Sequence, residues 1–368
     1  MSRYLITVST VMTIPHISLV MASPSNHANL RPELLVVANN KASETEFYNQ
    51  GVSLLKQKKY QEALKQFNQA LNINPNYTQA YTKRGLTYYH LKQYQEAFND
   101  YNRAVQLDAK FPEAYTYRGL LRHALGNDIG ALTDYNRAIE IKSNYAEAYN
   151  YRGVSHLALS DHQNAIKDYT QAIALNPKYA EAYNNRGVAH SIAGDYAKAM
   201  EDYSKAIQLD SNYTQAYKNR GITKAQLGEY LAAIIDYNHA LELDSQDSSI
   251  YYNRGIAYYQ LKEYQKAIAD YSEVIKRDPN SPNTYFSRAV ARQQLKDAQG
   301  ALDDYNLAIT KKTDYADAYF NRGLLFYQVG NQSKFVEDLE KAASLYQQQG
   351  NNQGYQKVQD VLSKYEPI

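Results

Sequence analysis

Apolar and polar residues follow one another along the chain at the spacing of amphipathic helices. In residues 180–213, Tyr183 and His190 lie on one face of a predicted helix, and Gly194 then indicates a turn. The second half of this segment has apolar residues at the i, i+4, i+7 and i+8 positions of one helical face, namely Ala199, Tyr203, Ala206 and Ile207. The pattern predicts two helices joined by a short turn.

The two-helix pattern repeats every 34 residues. With Glu44 as position 1 of the first repeat, position 20 is alanine, position 24 is aromatic and position 27 is small in nearly every repeat. Position 8 holds glycine in all repeats but one, as Gly51, Gly85, Gly119, Gly153, Gly187, Gly221, Gly255, Ala289 and Gly323. No gap breaks this register across residues 44–349, so the period predicts nine stacked helix pairs.

The period and these columns resemble those of the tetratricopeptide repeat (TPR) family. The resemblance implies an all-α fold, a right-handed superhelical α-solenoid of nine helix-turn-helix units in which the first helix of each unit lines a concave groove. Residues 350–368 continue with one more amphipathic segment, whose apolar face carries Tyr355, Val358, Val361, Leu362 and Tyr365. We expect it to form a C-terminal capping helix, because solenoids need a cover at their ends.

Residues 1–22 differ from the rest of the chain. A basic residue, Arg3, precedes an apolar run that ends in Val20, Met21 and Ala22, which is the order of a secretory signal peptide. This predicts export to the periplasm or another extracytoplasmic compartment, with residues 23–43 as a linker. A cytoplasmic location, with a different initiator methionine, is the alternative.

The amino-acid composition limits the kinds of partner and of chemical site that the protein can have. The 368 residues carry a formal net charge of +2, which gives no footprint of a nucleic-acid partner. Cysteine is absent, which excludes disulfides, thiol catalysis and thiolate metal sites. The 38 tyrosines, beside no tryptophan, indicate that one short pattern has been copied many times.

Positions 7 and 23 carry arginine and aspartate in eight repeats, whereas the first repeat has Gln50 and Gln66. Antiparallel helices joined near position 15 bring together positions whose sum is about 30, so we expect an Arg–Asp ion pair within each repeat. Arginine suits such a forked, partly buried contact better than lysine. The pairs include Arg186 with Asp202, Arg220 with Asp236 and Arg254 with Asp270. The alternative is that the arginines bind an acidic ligand.

Position 6 is expected to face the groove. It holds asparagine at Asn185, Asn219, Asn253 and Asn321, where it resembles the asparagine ladder of the O-linked N-acetylglucosamine transferases, which grips peptide backbones. An amide offers a donor and an acceptor to an extended backbone without reading its sequence. Ser287 and the residues of repeats two to four interrupt the ladder. The alternative is that these asparagines belong to the scaffold.

Two further columns are candidates for peptide binding in the last four repeats. Position 13 holds Gln226, Gln260, Gln294 and Gln328, and position 5 holds Lys218, Tyr252, Phe286 and Phe320. Aromatic and adaptable polar side chains are good contact material, so the columns predict a mostly neutral binding strip. An ordinary solvated helix surface is the alternative.

No constellation for catalysis or metal binding is found in the sequence. His156 and His190 share position 11 of neighbouring repeats, with His123 beside them, but packed helices lie about 10 Å apart, too far to share a metal. The sequence has no phosphate-binding loop and no Ser-His-Asp arrangement. We therefore expect no enzymatic activity, no cofactor and no metal.

Two hypotheses on function remain open. One is a non-enzymatic scaffold that binds extended peptide segments of partner proteins in the groove, as an assembly or adaptor factor. The other is a structural or self-associating element of an envelope assembly, with which a homo-oligomer would agree. The clamp by which chaperone adaptors of this family hold a C-terminal carboxylate cannot form, because position 2 carries Glu113, Glu147 and Glu181. Cytosolic chaperone tails are therefore not expected as partners.

Overall fold

The computed structural model describes residues 43–365, which fall into two compact units, residues 43–210 and 211–365. Nineteen α-helices and no β-strand are found in this part of the chain. We call the two parts the N-terminal unit and the C-terminal unit and describe each by itself. The predicted signal peptide, residues 1–22, and all of the predicted linker except Ser43 lie outside the described residues.

The N-terminal unit consists of ten helices. They are α1 (Glu44–Lys56), α2 (Tyr60–Ile73), α3 (Thr78–His90), α4 (Tyr94–Leu107), α5 (Pro112–Ala124), α6 (Asp128–Ile141), α7 (Ala146–Ala158), α8 (His162–Leu175), α9 (Ala180–Ile192) and α10 (Tyr196–Leu209). The first helix begins with a capping box, in which Ser43 and Glu46 satisfy each other's backbone N–H groups.

The C-terminal unit consists of nine helices. They are α11 (Thr214–Gln226), α12 (Tyr230–Leu243), α13 (Ser248–Gln260), α14 (Tyr264–Arg277), α15 (Pro282–Gln294), α16 (Ala298–Lys311), α17 (Ala316–Gln328), α18 (Gln332–Gln348) and α19 (Asn352–Tyr365). The apolar side of α19 packs on α18, where Val358 is fully buried in one cluster with Leu339 and Tyr346. The helix thus covers the apolar face of α18.

Odd-numbered helices from α1 to α17 are helix A of a repeat, and the even-numbered helices that follow them are helix B. The turn between them has a left-handed residue at position 15 in every repeat. Glycine occupies that position in four repeats, as at Gly194, and lysine or serine in five, as at Ser160. Because the three residues at positions 14–16 are enough to reverse the chain, helices A and B pack antiparallel.

Helices A and B approach closely at position 8. A Cβ atom on Gly187 would lie 2.7 Å from Cε1 of Tyr203, whose ring is 2% exposed and belongs to helix B of the same repeat. The rings of Phe67, Tyr101, Tyr135, Tyr169, Tyr237 and Tyr271 meet their glycines in the same way. The glycine column is therefore required by the packing of an aromatic ring, and not by an unusual backbone conformation.

In the N-terminal unit, the A helices α1, α3, α5, α7 and α9 also contact one another from repeat to repeat, and α11 contacts α13 in the C-terminal unit. Side chains at positions 5 and 6 therefore meet those of neighbouring repeats. None of the helices in the described part of the chain combines the length and the apolar run that a membrane span requires.

Candidate protein-binding surface

The arginine of position 7 and the aspartate of position 23 form a two-pronged ion pair in each of repeats two to nine. Arg186 donates from Nε to Oδ2 of Asp202 at 2.9 Å and from Nη2 to Oδ1 at 2.7 Å. The other pairs have the same geometry, namely Arg84–Asp100, Arg118–Asp134, Arg152–Asp168, Arg220–Asp236, Arg254–Asp270, Arg288–Asp304 and Arg322–Asp338. The hydrogen bonds to Asp202 hold the pKa of Arg186 above its ordinary value.

The same arginine reaches back to the preceding repeat. Arg84 donates from Nη1 to Asn68 Oδ1 at 2.7 Å, and Arg186 donates to Thr170 Oγ1 at 3.2 Å. Arg118, Arg152, Arg254, Arg288 and Arg322 bond position 25 of the preceding repeat in this way. One guanidinium thus ties together three helices. The sequence signal for this contact is the recurrence of Asn, Ser or Thr at position 25, which the arginine and aspartate columns alone do not predict.

A tyrosine covers one side of every such guanidinium. The Tyr183 ring, three residues before Arg186, lies 5.7 Å from its guanidinium carbon, and the other seven arginines have a tyrosine at the same offset. Three N–H directions and one face of the guanidinium are therefore already used. This arrangement favours the structural interpretation over the binding of an acidic ligand.

Asn185 lies in a polar cluster of the N-terminal unit. Its Nδ2 donates to Asn150 Oδ1 at 3.1 Å, and Asn150 Nδ2 donates to Glu181 Oε1 at 3.1 Å and to the Tyr179 hydroxyl at 3.2 Å. Burial raises the pKa of the Glu181 carboxyl to about 8, against the lowering effect of the asparagine hydrogen bonds. Asn185 thus serves the contact between two repeats.

The other three asparagines of position 6 also form hydrogen bonds inside the protein. Asn219 is 7% exposed and accepts from Gln215 Nε2 at 2.8 Å. Asn253 is 8% exposed and donates to the Ser249 carbonyl at 2.9 Å. Asn321 donates to the Asp317 carbonyl at 2.7 Å. A backbone-gripping ladder would need these amides to face the partner, so the structure does not assemble one here.

The prediction that position 5 lines a binding strip is wrong for three of its four residues. Phe286 and Phe320 are core residues, 7% and 2% exposed. Lys218 is 5% exposed, and its Nζ lies 2.8 Å from Asp247 Oδ2 and 3.2 Å from Ser249 Oγ. The physical reason is that position 5 covers the ring of position 24 in its own repeat, as Phe286 does at 5.9 Å from Tyr305, and also contacts the start of the next repeat, as Lys218 does at Ser249.

Tyr252, the fourth member of that column, is partly exposed. Its ring lies 5.8 Å from the Tyr271 ring, and its hydroxyl lies 3.3 Å from Ser287 Oγ in the next repeat. Position 5 of one repeat therefore meets position 6 of the next, as it does between Asn150 and Asn185. The two positions together decide how far the ring at position 24 is covered.

The glutamines of position 13 have the properties of a contact surface. Gln226, Gln260, Gln294 and Gln328 are exposed, and each is the last residue of its A helix. Among the described residues, the side-chain amides of the first three make no hydrogen bond, while Gln328 Oε1 accepts from Gln293 Nε2 at 3.5 Å. Near Gln260, a pocket opens between α13 and α15; it is lined by Ile256, Tyr259, Gln260, Tyr271, Ser287 and Val290.

The histidines lie near aspartates instead of near each other. His123 Nδ1 is 2.6 Å from Asp128 Oδ1, and His156 Nδ1 is 3.4 Å from Asp161 Oδ2. Across residues 43–365, no group of three or more His, Asp or Glu side chains is arranged to hold a metal ion.

Sequence models described as "Tetratricopeptide repeat" and "TPR repeat" match the chain in eight places, which together cover more than half of it. They match residues 51–92, 85–126, 119–160, 146–179, 180–213, 223–262, 248–281 and 316–349. The chain belongs to the tetratricopeptide repeat family. Members of this family bind protein partners and are typically non-catalytic scaffolds, and this TPR protein is a protein–protein interaction scaffold.

Solved structures show the same fold. The Cut9–Hcn1 hetero-tetramer of the APC/C contains a chain 13% identical, with 86% of this chain and 76% of that chain aligned and a TM-score of 0.54. The C-terminal part of a TPR repeat-containing protein from Cytophaga hutchinsonii is 21% identical over 63% and 95% of the two chains, with a TM-score of 0.53. PilF from Pseudomonas aeruginosa is 19% identical over 58% and 96%, with a TM-score of 0.51. No curated protein sequence matches this TPR protein.

Proposed function

We propose that this TPR protein holds an extended segment of a partner protein against the A helices of its C-terminal unit, and that it catalyses no reaction. The observation that carries the proposal is the column of exposed amides at Gln226, Gln260 and Gln294, which make no hydrogen bond within the described residues. Each amide can donate to and accept from a peptide backbone. A partner would therefore gain hydrogen bonds here without breaking any that hold the fold.

The asparagines of position 6 add fewer available amide groups to this surface than the sequence predicts. Asn253 and Asn321 each donate one N–H to their own helix, which leaves the second N–H and a carbonyl oxygen of each amide for other contacts. Asn253 is nearly buried, so Asn321 contributes more to the proposed surface. The glutamines are therefore the better targets for mutation.

The test replaces Gln226, Gln260 and Gln294 together by alanine. Affinity capture with mass spectrometry first identifies a partner of the wild-type chain, and the affinity for that partner is then measured. We expect at least a tenfold loss of affinity. The matched control replaces Gln61, Gln163 and Gln265, which are exposed on B helices, and should bind normally. Equal affinities of the two variants would contradict the proposed surface.

Self-association is a second candidate, favoured by one observation. On α12, Leu231 and Ile235 lie one turn apart and are 67% and 58% exposed. Exposed apolar pairs of this kind are typical of contacts with another surface. If the protein self-associates through α12, light scattering at rising concentration should give the mass of an oligomer, and Leu231→Glu should return it to the monomer mass. A monomer mass in the wild type would dismiss this candidate.

We further propose that residues 1–22 are a signal peptide and that the mature chain begins at Ser23, outside the cytoplasm. The support is the order of basic residue, apolar run and small residue before that point. Sequencing of the N-terminus of the native protein should start at Ser23. An intact Met1 in the cytoplasmic fraction would refute the proposal.

A further inference from the structure

The pocket between α13 and α15 has an aromatic floor and a neutral wall. Tyr271, 2% exposed, forms the floor, while Ile256 and Val290 provide aliphatic walls from the two helices. Tyr259, Gln260 and Ser287 complete the lining of the pocket, which is open to solvent on one side. No charged side chain lines it, so it has no complementarity for an ionised group.

The same location in the N-terminal unit is filled by the chain itself. The position equivalent to Ser287 holds Tyr117 in repeat three and Tyr151 in repeat four. Their rings lie 6.4 Å from Tyr101 and 6.2 Å from Tyr135, which are the equivalents of the floor residue Tyr271. Both filling tyrosines are buried, at 8% and 5% exposure. The repeat thus accommodates an aromatic ring between neighbouring A helices.

Repeat eight has Ser287 in place of that ring, and Tyr252 compensates for the missing ring only in part. Tyr252 covers one side of Tyr271 at 5.8 Å, whereas repeats two and three have Thr82 and Thr116 at the equivalent position. Tyr252 does not line the pocket, which remains open beside Ile256 and Val290. Interiors of proteins are close-packed, so an open apolar space of this kind loses contacts that a ligand can restore.

We propose that this pocket binds an uncharged aromatic side chain, tyrosine or phenylalanine, of the partner segment. The inference rests on the proposed function, because the pocket lies beside Gln260 on the amide-bearing surface. The ring would stack on Tyr271 as Tyr117 stacks on Tyr101, with Ile256 and Val290 against its edges. The Gln260 amide and the Ser287 hydroxyl at the rim can bond the backbone beside it or a phenol group. Aromatic anchors in such pockets carry much of the affinity of protein interfaces.

The test uses p-cresol, the side chain of tyrosine, as the probe. It is titrated into the full chain labelled with carbon-13 at the isoleucine and valine methyl groups. We expect saturable ring-current shifts at Ile256 and Val290, at least tenfold weaker binding of isobutanol as an aliphatic probe, and loss of both shifts in Ser287→Tyr. Tyr117 and Tyr151 occupy the same position beside Thr82 and Thr116, whereas Tyr252 contacts Ser287, so a ring at position 287 requires Tyr252 to move. Val290→Phe fills the pocket from its wall and should also abolish binding if Ser287→Tyr does not fold.

Two further variants test whether p-cresol binding depends on the residue at position 6 of this particular repeat. Asn321→Tyr introduces the same ring at position 6 of another repeat and should leave p-cresol binding intact. Tyr151→Ser should create a second site, seen as new shifts at Val154. The inference is overturned if p-cresol leaves the methyl groups of the wild type unshifted, if the shifts persist in Ser287→Tyr, or if isobutanol binds equally well.

The affinity for the captured partner then distinguishes a failure of this inference from a failure of the proposed function. Ser287→Tyr should weaken the captured partner at least tenfold, and unchanged affinity would show that the partner places no ring in the pocket. If the glutamine variant binds the partner normally, the proposed function fails even where p-cresol binds. If p-cresol does not bind but the glutamine variant loses the partner, only the pocket inference fails.

Discussion

At the scale of single residues, each arginine of position 7 neutralises a buried carboxylate, and seven of the eight also bond a second repeat. Arg186 and Asp202 have 21% and 7% exposed side chains, so either one left alone is an uncompensated, poorly hydrated charge. We expect Arg186→Ala and Asp202→Ala each to lower the free energy of unfolding by about 2–4 kcal/mol. The double variant should lose less than the sum, with a coupling of about 0.5–3 kcal/mol.

Urea unfolding of the four proteins measures this coupling, and Thr170→Ala provides the control. It removes the third hydrogen bond of Arg186, together with the bond from Thr170 Oγ1 to the Ile166 carbonyl, and should cost about 1 kcal/mol. Additive losses in the cycle would mean that the two charges do not support each other. The arginines of position 7 would then again be candidates for binding an acidic ligand.

Glu181 makes stability depend on pH. Burial raises its pKa to about 8 from an ordinary 4.5, so the folded state keeps a proton that the unfolded state has lost. The stability from this group is fully present below pH 4.5 and falls as the pH rises from 4.5 to 8. The slope is at most about 1.4 kcal/mol per pH unit and is reduced by the partial exposure of the side chain.

Thermal unfolding between pH 5 and pH 9 checks this dependence. Glu181→Gln keeps the oxygen that accepts from Asn150 but cannot ionise, so it should flatten the slope and raise stability at pH 8. Glu147→Gln removes an exposed carboxylate at the same position of the preceding repeat, whose charge adds to the raised pKa of Glu181, and should reduce the slope less than Glu181→Gln does. Parallel slopes in wild type and Glu181→Gln would contradict the assignment.

At the scale of helices, the turns between helices A and B differ in the backbone strain at position 15. Ser160 adopts a left-handed conformation with φ 61°, where the equivalent Gly194 has φ 83°. A side chain in this region costs about 1–2 kcal/mol, partly offset by the smaller entropy that serine loses on folding. We expect Ser160→Gly to stabilise its repeat by about 0.5–1 kcal/mol and Gly194→Ser to destabilise its own repeat by a similar amount.

Hydrogen exchange resolved by repeat measures both changes. The backbone N–H of residues 155–165 should exchange more slowly in Ser160→Gly, and that of residues 189–199 should exchange faster in Gly194→Ser. The two variants are matched, since both residues are exposed at position 15. Faster exchange in both would mean that the serine forms a contact that outweighs its strain.

Helix pairs could be predicted from the sequence because their contacts lie inside one 34-residue period. The glycine and tyrosine columns, and the partnership of Arg186 with Asp202, follow from positions that repeat without a gap. Contacts between repeats could not be predicted, because they depend on the rotation from one pair to the next. That rotation brings Thr170 to Arg186 and Asn150 to Asn185, and it is decided by side-chain volumes that the period does not reveal.

At the scale of the whole chain, stability in a repeat array is the sum of units and of the contacts between neighbours. We therefore expect α19, the last helix, to stabilise the last repeat by covering the apolar face of α18. Ending the chain after Asn351 removes α19 and exposes the apolar face of α18 that now covers Val358. We expect lower stability of the last repeat by about 2 kcal/mol or more and self-association visible by light scattering.

Two point variants test the same helix without shortening the chain. Val358→Asp places a charge in a fully buried position and should behave like the truncation, whereas Lys364→Asp, at an exposed position, should behave like wild type. A monodisperse truncated protein with unchanged unfolding would show that α19 is dispensable.

The arginine contacts also give the array a direction. In repeats two to five and seven to nine, the arginine takes an oxygen at position 25 of the repeat before it. The first repeat has Gln50 in place of the arginine, and no described helix precedes α1. A duplication or deletion of one internal repeat within a unit therefore leaves each of these guanidinium groups with an acceptor at position 25. Within each unit, the gene can change the length of the scaffold in steps of 34 residues without inventing a new joint.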